Sequence, residues 1–170
     1  MSVSFINFII YTLVYIIFMP VLVFIHEFGH AIPALIFTKG EVSINIGNSN
    51  QIKQIKFNRL SININRYRSI MDVSYGYVNW KPIDSKLKSI IMIASGPIVS
   101  LCTSIAFYLI LDRIELYYLM IKIFNALSLF SICQFISTAL PIKYSDNSPY
   151  KGFTSDGYKI LQYLKANNEY

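Results

Sequence analysis

Histidine and cysteine are nearly missing from this 170-residue chain, at two each, and acidic residues number only nine. Cys102 and Cys133 show no CxxC spacing and have no histidine nearby, which excludes a disulfide framework and a thiolate-rich metal cluster; both read as small packing residues in apolar stretches. Charged residues make up 14% of the chain against 54% hydrophobic residues, and the mean hydropathy is +0.46. Soluble domains carry about a quarter charged residues, so an ordinary soluble fold is excluded and the bilayer becomes the expected solvent. The start, Met1-Ser2-Val3-Ser4, lacks the positive region of a signal peptide, and no small-residue cleavage site follows, so its apolar run is expected in the mature protein.

Three apolar runs are long enough to span a membrane, a task that takes about 20 residues. They cover about 5–37, 89–111 and 116–140. The first exceeds one perpendicular crossing and contains Pro20, so a tilt or a kink is expected there. The length suits one membrane-embedded domain, 1–170, with no room for an appended PDZ-like or nucleotide-binding domain.

The net charge of +6 is unevenly spread. Nine of the fifteen Lys and Arg fall between Lys39 and Lys88, and four more between Lys143 and Lys165. With three crossings both regions share one side, which the positive-inside rule makes cytoplasmic. The N-terminus is then outside, the C-terminus cytoplasmic, and the short link Asp112–Glu115 outside. Topology and anionic lipid headgroups account for the basic residues, and no nucleic-acid partner is expected.

Between the first two runs the chain alternates. Val42, Ile44 and Ile46 take turns with polar residues, as do Leu60, Ile62 and Ile64, and then Val73, Tyr75 and Tyr77. This predicts two or three short antiparallel strands in a β-rich cytoplasmic insert, about 41–80, with turns at Asn48-Ser49-Asn50 and Arg66–Ser69. An exposed edge of such a sheet is suited to bind an extended substrate by adding a strand. Covering the site and anchoring at the interface through Trp80, Tyr75 and Tyr77 are the structural roles open to the same segment. After the third run, Tyr158–Lys165 reads as an amphipathic helix with Ile160, Leu161 and Leu164 on one face, within a segment of about 154–166.

Both histidines belong to one pentapeptide at the end of the first run, His26-Glu27-Phe28-Gly29-His30. On a helix, residues four apart lie on one face, so both imidazoles can hold one ion. Glu27 points roughly 100° away, suited to a water on the metal rather than to a third ligand position in the same row. This is the HExxH pattern of zinc hydrolases, with Zn2+ as the expected cofactor and Glu27 as the general base. Zinc needs a third protein ligand, and the cytoplasmic carboxylates Glu41, Asp72, Asp84, Asp146, Asp156 and Glu169 are the candidates. Asp156 also suits a helix N-cap or first-turn acid.

HEFGH in a membrane run, Ser95-Gly96-Pro97 in the second, and Pro141 followed by Ser155-Asp156-Gly157 after the third together resemble the site-2 protease family of intramembrane zinc metalloproteases. The resemblance covers about His26 to Gly157. It implies a membrane α-helical fold: a three-span intramembrane metalloprotease core with a small membrane-associated β-sheet between spans one and two. It also implies His26, His30 and Asp156 as zinc ligands and Glu27 as the base. Gly96-Pro97 alone would also fit close helix packing. Thr138 stands where the family often has an Asn three residues before the Pro. Asp156 lies fifteen residues beyond Pro141, farther than usual, and Asp146, followed by Asn147, remains the alternative ligand.

The expected activity is cleavage of membrane-anchored proteins or peptide precursors near the cytoplasmic face, as in regulated intramembrane proteolysis. Recognition rests on the core or on a regulatory membrane partner. A catalytically silent zinc-binding relative, acting as a chaperone or immunity-type partner, is the rival expectation. A small pore or transporter fits worse, since the spans offer few polar residues beyond the motif.

Overall fold

The structure, a computed structural model, describes residues 3–145 and 150–165. The elements run α1 (Val3–Phe37), β1 (Val42–Ile46), β2 (Gln51–Phe57), β3 (Leu60–Asn65), a 3-10 turn (Ile70–Ser74), β4 (Gly76–Asn79), α2 (Lys86–Arg113), α3 (Tyr118–Ala139) and α4 (Asp156–Lys165).

Helices α1, α2 and α3 are long and apolar enough to cross a membrane. No more than a third of the most apolar stretch of each is buried within the protein. Phe8, Leu13, Ile17, Ile36, Ile98 and Leu129 are among the exposed apolar side chains, an arrangement that water penalises and lipid does not. At about 1.5 Å per residue the 35-residue α1 is about 52 Å long, more than a hydrocarbon core of about 30 Å requires. It continues through Pro20 and also through Pro33 as one helix. Polar pairing joins its neighbours: Ser104 Oγ donates to Ser128 O at 3.0 Å and Ser128 Oγ returns a bond to Ser104 O at 3.1 Å, tying α2 to α3.

The sheet has four strands in the order β2-β3-β1-β4. This departs from the expected two or three antiparallel strands. β2, with Gln51, Lys53, Gln54 and Lys56, lacks an apolar face because it is an outer strand exposed almost throughout. β1 pairs with β3 in parallel, while β1–β4 and β2–β3 are antiparallel. The third alternating stretch also shifts: Val73 lies in the 3-10 turn, and the strand begins at Gly76.

The core sits where this sheet meets α1. Val42, Ile44 and Ile46 of β1 are buried with Val23, Ala31 and Ala34 of α1, the two alanines allowing close approach. Arg59, in the β2–β3 turn, donates to Thr38 O at 2.6 Å and to Leu35 O at 2.7 Å. These are carbonyls left over at the C-terminal end of α1, where a cation is worth about 0.3–1 kcal/mol. The sheet is thus fastened to the helix that carries HEFGH.

Candidate active site

The α1 helix brings His26 and His30 onto one face, and both are buried. Each ring is oriented by α2. His26 Nδ1 lies 2.8 Å from Ser100 Oγ, and His30 Nδ1 lies 2.8 Å from Met92 O. A carbonyl only accepts, so His30 Nδ1 carries the proton and its Nε2 presents a lone pair. Gly96 leaves the room for that ring: a Cβ there would stand 2.1 Å from His30 Nε2.

α4 supplies the carboxylate. Asp156 Oδ2 is 3.4 Å from His26 Nε2 and 3.3 Å from His30 Nε2, and the two Nε2 atoms are 3.2 Å apart. A tetrahedral zinc with arms of about 2.0–2.1 Å would separate its ligand atoms by about 3.3–3.4 Å, so the donor set fits the ion in kind and in spacing. His26, His30 and Asp156 are the one group of three among the described residues able to hold a metal ion. Burial works against charge on Asp156, but His30, His26 and Lys159 outweigh it and hold its carboxyl below the ordinary range. Lys159 Nζ stands 3.2 Å from the second oxygen, Oδ1.

The approach of α4 has a local cause. Ser155 Oγ donates to Leu140 O at 2.5 Å and accepts from Ile142 N at 2.9 Å and Tyr158 N at 3.2 Å. Ser155 therefore caps α4, and Asp156 is released from the capping role its sequence position suggested. A Cβ on Gly157 would fall 1.8 Å from Ala139 O, so the end of α3 and the start of α4 touch through a glycine. Asp156 is thus brought back to the end of the third span, with Lys143 bridging Thr154.

Among the described residues the other candidate carboxylates do not join this cluster. Glu41 pairs with Lys56 at 2.7 Å, and Asp72 accepts from Arg68 N and Ser69 N. Asp84 is not part of the cluster, and Asp146 and Glu169 lie outside the described residues. Thr138 Oγ1 donates back to Gln134 O and Phe135 O, its own helix's carbonyls.

His26, Glu27, His30 and Asp156 line a cavity of about 520 Å³. One wall is the β4 strand from Gly76 to Asn79, another the α3 face with Gln134 and Thr138. The segment before α4 contributes Tyr144, Tyr150 and Phe153. Burial first, then the charges of Asp156 and Glu27, push the Tyr144 phenol up to about 12. Burial raises Tyr150 well above its ordinary value too, so both remain neutral donors at working pH. Ser100 and Met92 carried no signal of their own in the sequence; Lys159, one turn from Asp156 on an amphipathic helix, and Ser155, a cap-type residue directly before that helix, could have been found there.

Residues 14–164 match the family model described as peptidase family M50. No curated protein matches the chain.

Proposed function

Because the chain belongs to peptidase family M50, the site-2 protease family, we propose that it is an intramembrane zinc endopeptidase acting on membrane-anchored proteins or peptide precursors near the cytoplasmic face. The observation that supports this best is the triangle of His26 Nε2, His30 Nε2 and Asp156 Oδ2, with Glu27 in the same cavity.

In this reading His26, His30 and Asp156 hold the ion. Zinc, when bound, supplies a Lewis acid for the substrate carbonyl and a lowered pKa for water. Glu27 takes the proton of the attacking water on its carboxylate and delivers it to the nitrogen of the leaving amine. Lys159 and Ser155 hold Asp156 at its station. A membrane helix must unwind before its peptide bond can be attacked, because its N–H and C=O groups are bonded within the helix. The edge of β4 along the cavity offers such an unwound stretch new main-chain partners. Met19, Tyr15 and Phe130, from the first and third spans, give the cavity an apolar wall.

The test uses protein purified in detergent, its bound zinc measured, and Glu27→Gln compared with wild type on a co-expressed membrane substrate. Stoichiometric zinc in both is expected, with cleavage lost in the variant by 10²-fold or more, on the order of a general base's contribution. Zinc in both with no difference in cleavage would sink the enzyme reading and leave the silent zinc-binding partner. Zinc lost in Asp146→Ala but kept in Asp156→Ala would transfer the third ligand to Asp146.

A further inference from the structure

β4 is the outer strand of the sheet on the cavity side, and the alternation of an antiparallel ladder decides which of its peptide groups are already used. Gly47 N donates to Tyr75 O at 2.9 Å, and the register sets Asn45 against Tyr77 and Ser43 against Asn79. The Tyr75 carbonyl and the main-chain groups of Tyr77 and Asn79 therefore face β1, while Tyr75 N donates back to Asp72 O at 3.0 Å. The Ser74 carbonyl and the main-chain groups of Gly76 and Val78 face outward, and all three residues line the cavity.

At one end of this edge the partner is a side chain. The Tyr150 hydroxyl donates to Ser74 O at 2.5 Å and accepts from Gly76 N at 3.2 Å. An acceptor at one residue and a donor two residues on are what an N–H and a C=O from the main chain of an adjoining strand satisfy, so the phenol stands where a neighbouring strand would place those two groups. Its ring is held by those of Tyr75 and Tyr144, with centroids 4.7 and 5.0 Å away. The end it closes is the one beside the reaction centre: a Cβ on Gly76 would lie 3.1 Å from Glu27 Cγ.

Resting on the endopeptidase reading above, we propose that Tyr150 is the register stop for the substrate strand. An extended chain pairs with β4 through the Gly76 carbonyl and the main chain of Val78, cannot continue to Ser74, and leaves the ladder beside Glu27, where its next peptide bond is cut. A strand slipped by one residue presents the wrong face, but a slip of two restores every side chain to its face. A stop in the main-chain ladder removes that second ambiguity, which side-chain pockets alone discriminate poorly.

The experiment incubates the purified full chain in detergent with β-casein, an unstructured apolar probe, and maps the cut bonds by mass spectrometry. Tyr150→Ala vacates both main-chain groups, and cuts displaced by two residues from the wild-type bonds are expected. Tyr150→Phe keeps the ring and gives up both hydrogen bonds, and a mixture of wild-type and displaced cuts is expected. Zinc content reports folding; where Tyr150→Ala fails to hold zinc, Tyr150→Phe decides alone. Cleavage confined to the wild-type bonds in the folded variants overturns the stop, whatever its rate. Cleavage that is the same in wild type and Glu27→Gln removes the endopeptidase reading instead, and the proposal with it.

Discussion

At the scale of single residues, the proposed metal site depends on nitrogens and glycines that would not touch the ion. His30 Nδ1 donates its N–H to Met92 O, and that bond turns Nε2 toward Asp156. Ser100 does the corresponding work for His26. Ser100→Ala should leave the fold intact and weaken zinc about 10–100-fold, the usual cost of a lost outer partner, as read by competition with a chromogenic chelator. Gly96→Ala should be harsher. Its Cβ would stand 2.1 Å from His30 Nε2, so the ring must leave its position and zinc should be absent from the purified protein. Wild-type affinity in both variants would mean that α2 does not orient the histidines. HEFGH was legible because its meaning is local: two residues four apart on a helix need nothing else to define a face. Gly96 was legible as part of the Ser95-Gly96-Pro97 motif and as a packing glycine, but not as the residue that makes room for His30, since the ring it admits belongs to another helix.

At the scale of elements, the connection from α3 to α4 determines whether the site is completed. Ser155 makes three hydrogen bonds there, to Leu140 O, from Ile142 N and from Tyr158 N. At about 0.5–1.5 kcal/mol each, Ser155→Ala should cost roughly 2–3 kcal/mol of local stability. Hydrogen exchange should show faster opening at Ile142 and Tyr158, with weaker zinc binding following from the loosened Asp156. Gly157→Ala should separate α4 from α3 and lose zinc altogether, because a Cβ has no space beside Ala139 O. Unchanged exchange and zinc in both would show that α4 is held by something other than this junction. The sequence allowed either Asp146 or Asp156 because a fifteen-residue excursion has no periodicity from which its return can be read. β2 was missed for a related reason: with both faces exposed, its residues need not alternate. The parallel pairing of β1 and β3 is likewise invisible locally, since it depends on β2 lying beyond β3 rather than between it and β1.

At the scale of the whole molecule, the question is which side of the membrane the site faces, and charge bears on it more than shape does. The segments 38–85 and 140–145 leave the spans at the same end, because the sheet is fastened to the end of α1 and α4 packs beside the end of α3. Those segments, with 150–155, the first turn of α2 and helix α4, hold thirteen of the fifteen cationic residues, while the link between α2 and α3 offers Arg113 paired with Asp112. Each Lys or Arg near an anionic leaflet is worth about 1 kcal/mol, so the difference between the two orientations amounts to many times RT. α4 agrees with this placement: Leu161 and Leu164 are exposed in the fold, and Lys159 and Lys165 share the helix, the composition of an interfacial helix lying on a headgroup layer. A reporter enzyme active only in the cytoplasm, fused after Tyr170, should therefore be active, and one fused in the link at Glu115 should be silent. Replacing the exposed Lys53, Lys56, Arg66 and Arg68 with Gln should lower the first signal and raise the second by a small matching share, since Lys81, Lys86 and Lys88 beside α2 still bias the insertion. An active reporter at Glu115 would reverse the orientation and carry the site to the opposite face, with the zinc triangle unaltered.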